Sequence, residues 1–179
     1  LQTRQAASFW SGIDEADELR ERGIIGTEGI MFAPRFASDS CSDVEHPHIC
    51  GMAGGLFFRF PLEGEWRHRH ITLTEACGTV LCVMIFPKYF PKYELMVEGD
   101  ATAALAAAVG TASSEDLIYL RRRAEQEPTY SAAALRAWIT HVAGWGNGPT
   151  DAGSRDKMKV MHDLAKAFGI RLREVPIPP

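Results

Sequence analysis

Cysteine is scarce and unpaired in this chain. Cys41, Cys50, Cys77 and Cys82 form no C-x-x-C motif, which excludes the spacing of common zinc ribbons and redox dithiols. Two of the four fall inside an apolar helical stretch, so reduced thiols in an intracellular protein are expected, not a disulfide framework. No run of about 18 uncharged apolar residues exists, the length a bilayer-spanning helix needs. The longest candidate, residues 76–87, meets Lys88 and reads as a buried helix, so no membrane partner is expected. The opening LQTRQAASFW lacks the basic start and apolar core of a signal peptide. Without an initiating Met, the chain reads as a processed piece of something longer. Positive charge is not in excess, the net charge being −4. Nucleic-acid binding would have to rest on a local patch. Repeats and low-complexity linkers are also missing, and 179 residues suffice to bury one core. A single domain over residues 1–179 is expected.

What is present is an alternation of helix and strand signals. Residues 7–22 have helical periodicity ending at Gly23, giving an N-terminal helical extension over 1–28. GIMFAPRFASDS has strand character up to Asp39, and CSDVEHPHIC reads as a polar turn. The glycines of GMAGGLFFRFPL predict a tight turn and then a strand, with EWRHRHITLT as the next strand. An apolar helix is predicted over 74–86, a buried strand in KYELMVEG, and a helix over 101–109. SSEDLIYLRRRAEQEP carries Ser113 or Ser114 as a cap, acids in its first turn and arginines in its last, before Pro128. SAAALRAWITHVAG begins helical and ends as a strand, GWGNGPTDAGSR reads as a loop, and DKMKVMHDLAKAFG as a helix closed by Gly169. IRLREVPIPP is an extended tail. This order predicts an α/β or α+β plan around a mixed sheet.

Four acids stand out by context. Asp39 ends the first strand, Glu75 opens the apolar helix, Asp100 ends the strand MVEG, and Asp151 starts the last helical region. Asp100 in MVEGDATAALAAAVG suits the N-cap of the following helix, because its oxygen accepts from orphan N–H groups. Asp43 is the rival for the first acid, but it lies four residues beyond Asp39, past the apolar stretch, and Asp39 is preferred. Glu98 lies close by in sequence but outside this set.

These segments resemble the ribonuclease H domains of retroelement and retroviral reverse transcriptases. ASDS is similar to that family's first-strand motif, and ITLTEACGTV to its hydrophobic-x-x-x-Glu helix start. MVEGDATAAL resembles its strand-Asp-Asn/Ala-Thr-x-Ala motif, and HVAGWGNGPTDAGSR its closing signature. The resemblance covers about residues 30–156, leaving 157–179 as a C-terminal helix and tail. The sequence departs from the family pattern at Ala101 (usually Asn), Ala143 (Pro), Thr150 (Ala) and Gly153 (hydrophobic). The resemblance implies a ribonuclease H-like fold, with a mixed central sheet of about five strands flanked by helices. It also implies hydrolysis of the RNA strand of an RNA·DNA hybrid, within a reverse-transcriptase polyprotein.

Asp39, Glu75, Asp100 and Asp151 would then be both catalytic residues and ligands of two Mg²⁺, for which Mn²⁺ can substitute. The chemistry explains the residue type: Mg²⁺ is a hard ion that favours carboxylates. Two such ions about 4 Å apart clamp the attacking and leaving oxygens of a phosphodiester. Other readings stay beside this one. The fold could survive without catalysis, as a scaffold for nucleic acid or protein partners, or act on DNA.

Arg121, Arg122 and Arg123 with Lys88 and Lys92 are either a basic surface for the hybrid's backbone or a solvated helix face balanced by Glu125 and Glu127. Ser40 and Thr102 are candidates to touch a ribose 2′-OH, and Asn147 of the closing signature to touch substrate. Cys41, His46, His48 and Cys50 form C-x4-H-x-H-x-C, which matches no common structural zinc site and reads as a solvated loop insertion. His68 and His70 are expected to alternate along an exposed strand, and His141 to sit within one.

Overall fold

Strand β1 (Phe36–Ser40) is buried on both faces, and FASDS shows why. Its residues alternate between two layers. Phe36 joins a core with Ile49, Phe58, Phe86 and Val97, while Ala37 joins a second core with Cys50, Met52, Phe57 and Met161. The computed structural model describes residues 35–90, 95–99, 114–134, 137–141, 147–167 and 169–178. The expected helices over 7–22 and 101–109, together with Asp100, Thr102 and Lys92, lie outside the described residues.

β1 pairs with β2 (His48–Ala53), and β2 with β3 (Leu56–Pro61), both antiparallel. β4 (Leu95–Gly99) runs parallel to β1, and β5 (Ala137–His141) parallel to β4. A two-residue strand, β6 (Arg173–Glu174), adds parallel to β3. The order β5-β4-β1-β2-β3-β6 makes a mixed sheet in which β2 alone opposes the rest. The chain is an α/β protein with this sheet flanked by helices.

Helix α1 (Ile71–Ile85) crosses from β3 to β4 on the Phe36 face. Helices α2 (Glu115–Glu125) and α3 (Pro128–Ala134) share that layer through Ala124, Tyr130 and Ala133. Helices α4 (Gly148–Ser154) and α5 (Met158–Ala167) cover the Ala37 face through Ala152 and Met161. By length and composition alone, Ile71–Lys88 would pass for a membrane span, at mean hydropathy 1.4, yet 56% of it is buried inside the fold. It is the core helix. Phe86 closes its end against Phe36 and Phe58, with ring centroids 5.2 and 5.6 Å away. Each buried Phe stabilises by about 1.5–3 kcal/mol.

Three expectations are corrected here. Residues 65–73 are not a strand: Gly64–His68 form a 3-10 turn, and the His70 ring nitrogen accepts from Thr72 N at 3.2 Å to cap α1. The second strand is HICGMA, so His48 and Cys50 belong to the sheet and not to a solvated loop. GPTDAGS is helical, not a loop.

Candidate active site

The chain moves from β1 to β2 and β3 on one side, and returns through α1 to β4 and β5 on the other. A topological switch point therefore lies between β1 and β4. In open α/β sheets the crevice at the carboxyl ends of such strands is where ligands bind. Asp39 is the penultimate residue of β1, and β4 ends beside it at Gly99.

Two of the expected acids are buried at this end of β1. Asp39 is 7% exposed and Glu75 8%. Asp39 faces the α4 layer, where the Ser154 hydroxyl donates to its Oδ2. Glu75 reaches in from the opposite layer on α1, and its Oε1 accepts from the Ser40 backbone N at 3.0 Å. Hydrogen bonds to a carboxylate favour its charged form and offset desolvation. Asp151 lies inside α4, three residues before Ser154, and not at a loop–helix junction. Its carboxylate accepts from Arg155 Nε at 2.7 Å. Arg155 also donates to Asp43 at 3.2 Å, and the bond to Asp151, foremost, raises its already high pKa. Asp43 is well exposed and also accepts from the Cys41 thiol, which with Arg155 holds its pKa below the ordinary range.

Helix α4 is fixed by buried polar groups. Asn147, 1% exposed, donates from Nδ2 to the Ser38 carbonyl at 2.9 Å. The residue expected to touch substrate thus tethers α4 to β1 through its amide. Thr150, fully buried, donates to the Asn147 carbonyl at 2.8 Å, which accounts for a hydroxyl where the family pattern has Ala. Gly153 is required by close approach. A Cβ there would lie 2.4 Å from Cys50 Sγ and 3.0 Å from Met161 Sδ. At the end of α4, Arg59 on β3 donates from Nε to the Gly153 carbonyl at 3.2 Å and pairs with Asp156.

Other expectations change as well. The Ser40 hydroxyl is buried and donates to Thr74 Oγ1 at 2.6 Å, so it is spent inside the fold and not offered to a ribose. Arg121 pairs with Glu125 at 2.7 Å, and Arg123 donates to Gln126 at 2.7 Å. Arg122 is exposed. Arg123, with Trp66, Arg69 and Tyr119, lines a cleft of about 450 Å³ beside Leu73 in the first turn of α1. Lys88 lies beyond the other end of α1, on the order of 20 Å along the helix axis. The expected basic patch is thus split.

Cys41, His46, His48 and Cys50 do not converge. Cys50 lies under Gly153, the Cys41 thiol donates to Asp43, and His46 is exposed. Burial, then the adjacent Arg59, lowers the His48 pKa, so its neutral ring accepts from that guanidinium. All four cysteines are free, and burial pushes Cys77 up to about 12. His141 ends β5 and is exposed.

The donor chemistry at the β1 edge fits a hard divalent cation, since buried carboxylate oxygens are its preferred protein ligands. Among the described residues, no group of three or more His, Cys, Asp or Glu is placed to hold a metal. Asp100, the fourth acid of the expected set, lies outside them. The residues that sequence reasoning left without a role are Ser154 and Arg155. Both stand in DAGSR, beside Asp151. No protein-family model matches the chain, and no curated protein matches it.

Glu98, on β4 opposite Ala37, is 4% exposed. Its Oε1 pairs with Arg35 at 3.3 Å, while Oε2 has no hydrogen-bond partner among the described residues. Burial raises its pKa, opposed by Arg35. A carboxyl with a raised folded pKa takes up a proton more readily in the native state, so its stabilising contribution is full at low pH. That contribution is lost as pH rises through the folded value. Glu98→Gln should therefore stabilise the protein by about 1 kcal/mol at pH 8. The gain should vanish below about pH 4, where the parent's carboxyl is neutral. Urea denaturation at both pH values checks this, and an equal gain at both would refute it.

Proposed function

We propose that this chain is a ribonuclease H-like domain of a reverse-transcriptase polyprotein, hydrolysing the RNA strand of an RNA·DNA hybrid. The observation that carries the reading is the pair of buried carboxylates, Asp39 and Glu75, oriented by Ser154 and the Ser40 amide at the switch-point edge of β1. A mixed sheet flanked by helices is compatible with that fold, and the four-motif resemblance supplies the substrate class. Asp39, Glu75, Asp100 and Asp151 would hold two Mg²⁺ or Mn²⁺ ions. When bound, such ions stabilise the attacking and leaving oxygens of a phosphodiester.

The chain's own residues do the positioning. Ser154 fixes the Asp39 carboxylate from the α4 side, and the Ser40 amide fixes Glu75 from the α1 side. Asn147 sets the distance between the layers that carry them. Arg69 and Arg123 line the cleft beside α1 with Glu65 and Asp116. Arg69 would have to leave its ion pair with Glu65 to meet the hybrid's phosphates.

A second reading keeps the fold and drops the catalysis. It is favoured by the ion pair that turns the Asp151 carboxylate to Arg155 and away from a shared metal. Cleavage of a labelled hybrid with and without Mg²⁺ separates the two, alongside the thermal midpoint. Metal-dependent cleavage and a midpoint that rises with Mn²⁺ or Mg²⁺ are expected. Loss of both would leave the scaffold reading. Cleavage of duplex DNA in place of the hybrid would move the assignment to a DNA-acting nuclease.

A further inference from the structure

At the end of the sheet opposite the acids, a cavity of about 660 Å³ opens between the β2–β3 turn, the end of α1 and the C-terminal tail. Its volume lies within the range of small-molecule sites. Gly55, Leu56, Tyr89, Phe90, Arg171 and Arg173 line it.

The tail is pinned there by backbone bonds. Arg173 N donates to the Gly55 carbonyl and Val175 N to the Phe57 carbonyl, both at 2.8 Å. In an extended segment, alternate side chains share a face. Val175 enters the Phe36 core while Leu172 packs on the Ala37 core. Arg171 and Arg173 therefore lie on the Val175 side, toward Tyr89, and Glu174 on the other, where its charge acts on Cys50. The Arg173 guanidinium carbon stands 5.9 Å from the Tyr89 ring centroid and Lys88 Nζ 5.0 Å from it. Cation–π contact holds Arg173 against Tyr89 in the cavity wall, and Lys88 stands over the same ring. Among the described residues, no carboxylate is ion-paired with Lys88, Arg171 or Arg173.

We propose that this cavity binds a nucleotide unit, with Arg171 and Arg173 taking the phosphate and the apolar wall of Leu56, Tyr89 and Phe90 taking the base. Three cations without a carboxylate ion pair among the described residues, in a chain of net charge −4, favour an anion. A paired fork of guanidinium donors suits phosphate. The room beyond them is too large and too apolar for phosphate alone. This assignment does not depend on the chemistry of the acids, and absence of hybrid cleavage would leave it standing.

The test titrates the full chain with AMP, inorganic phosphate, adenosine and a 5′-phosphorylated trinucleotide by calorimetry at low salt. AMP should bind more tightly than phosphate or adenosine, with an affinity that falls as salt rises. Arg171→Ala and Arg173→Ala should each weaken it by about ten-fold. Lys88→Gln should weaken it a few-fold, and Lys159→Ala, a cation on the far helix α5, should not change it. Both arginines are exposed, so an unchanged thermal midpoint is expected for each variant. Preference for the trinucleotide would assign the site to a nucleic-acid strand, and preference for AMP to the free nucleotide. AMP binding that survives the Arg171→Ala/Arg173→Ala double substitution, or no AMP binding at all, would overturn the proposal.

Discussion

Asp39→Asn and Glu75→Gln should each reduce single-turnover cleavage of an RNA·DNA hybrid by on the order of 10²- to 10³-fold at saturating Mg²⁺. Both substitutions conserve volume. Each retains a carbonyl oxygen that can accept from Ser154 or from the Ser40 amide, so the layers around β1 stay docked. What disappears is one negative charge at the edge of β1. Hybrid affinity should stay within a few-fold, because phosphate contacts come from cations elsewhere and a repulsive charge has gone. Asp43→Asn and Glu98→Gln serve as comparisons and should leave the rate within a few-fold. Asp43 is exposed and committed to Cys41 and Arg155, and Glu98 to Arg35. Asp151→Asn should fall between, since Arg155 already neutralises part of that charge. If Asp43→Asn abolished cleavage while Asp39→Asn did not, the first acid would be wrongly assigned. Five variants cleaving like the parent would sink the ribonuclease reading.

Gly153 supports the second large effect. Gly153→Ala should cost about 1–3 kcal/mol, the usual penalty for overpacking, because its new methyl would sit 2.4 Å from Cys50 Sγ. Gly153→Leu restores the hydrophobic residue of the family pattern and should prevent α4 from docking at all. Cys50→Ala removes the clashing sulfur, so it should recover part of the Gly153→Ala loss. Urea midpoints of the two single variants and the double would give a coupling well outside additivity. Additive losses would mean that the helix stands further from β2 than the structure has it.

Much of the frame was readable from the residues. Asp39 near the end of β1, Glu75 on the apolar helix, the strand before Gly99 and the helix before Gly169 all carry local signals of periodicity and capping. HICGMA escapes the pattern because both its faces are packed, so Ile49 and Met52 stand among small residues with no polar alternation. A strand squeezed between helices at Cys50 and Gly51 shows no alternation of apolar and polar residues. HRHIT was misread because His70 acts through its ring nitrogen as a cap, a role usually filled by Ser, Thr, Asp or Asn. Helix α4 looked like a loop because Gly148, Pro149 and Gly153 suggest turns. Its helicity is supported by long-range tethers at Asn147 and Ser154, which no local window contains. The same reason hid the roles of Ser154 and Arg155, and let Lys88 and Arg123 be grouped when α1 holds them apart.

The tethers of α4 also govern when the site comes into being. The β1–β2–β3 meander closes short loops, whereas Asn147 to Ser38 and Ser154 to Asp39 span 109 and 115 residues. Long closures cost more chain entropy and form later. On the ribosome, where N-terminal segments fold first, the antiparallel strands can assemble while Asp39 still awaits the hydroxyl that orients it. On the proposed reading, cleavage of a hybrid therefore waits until Ser154 has left the exit tunnel.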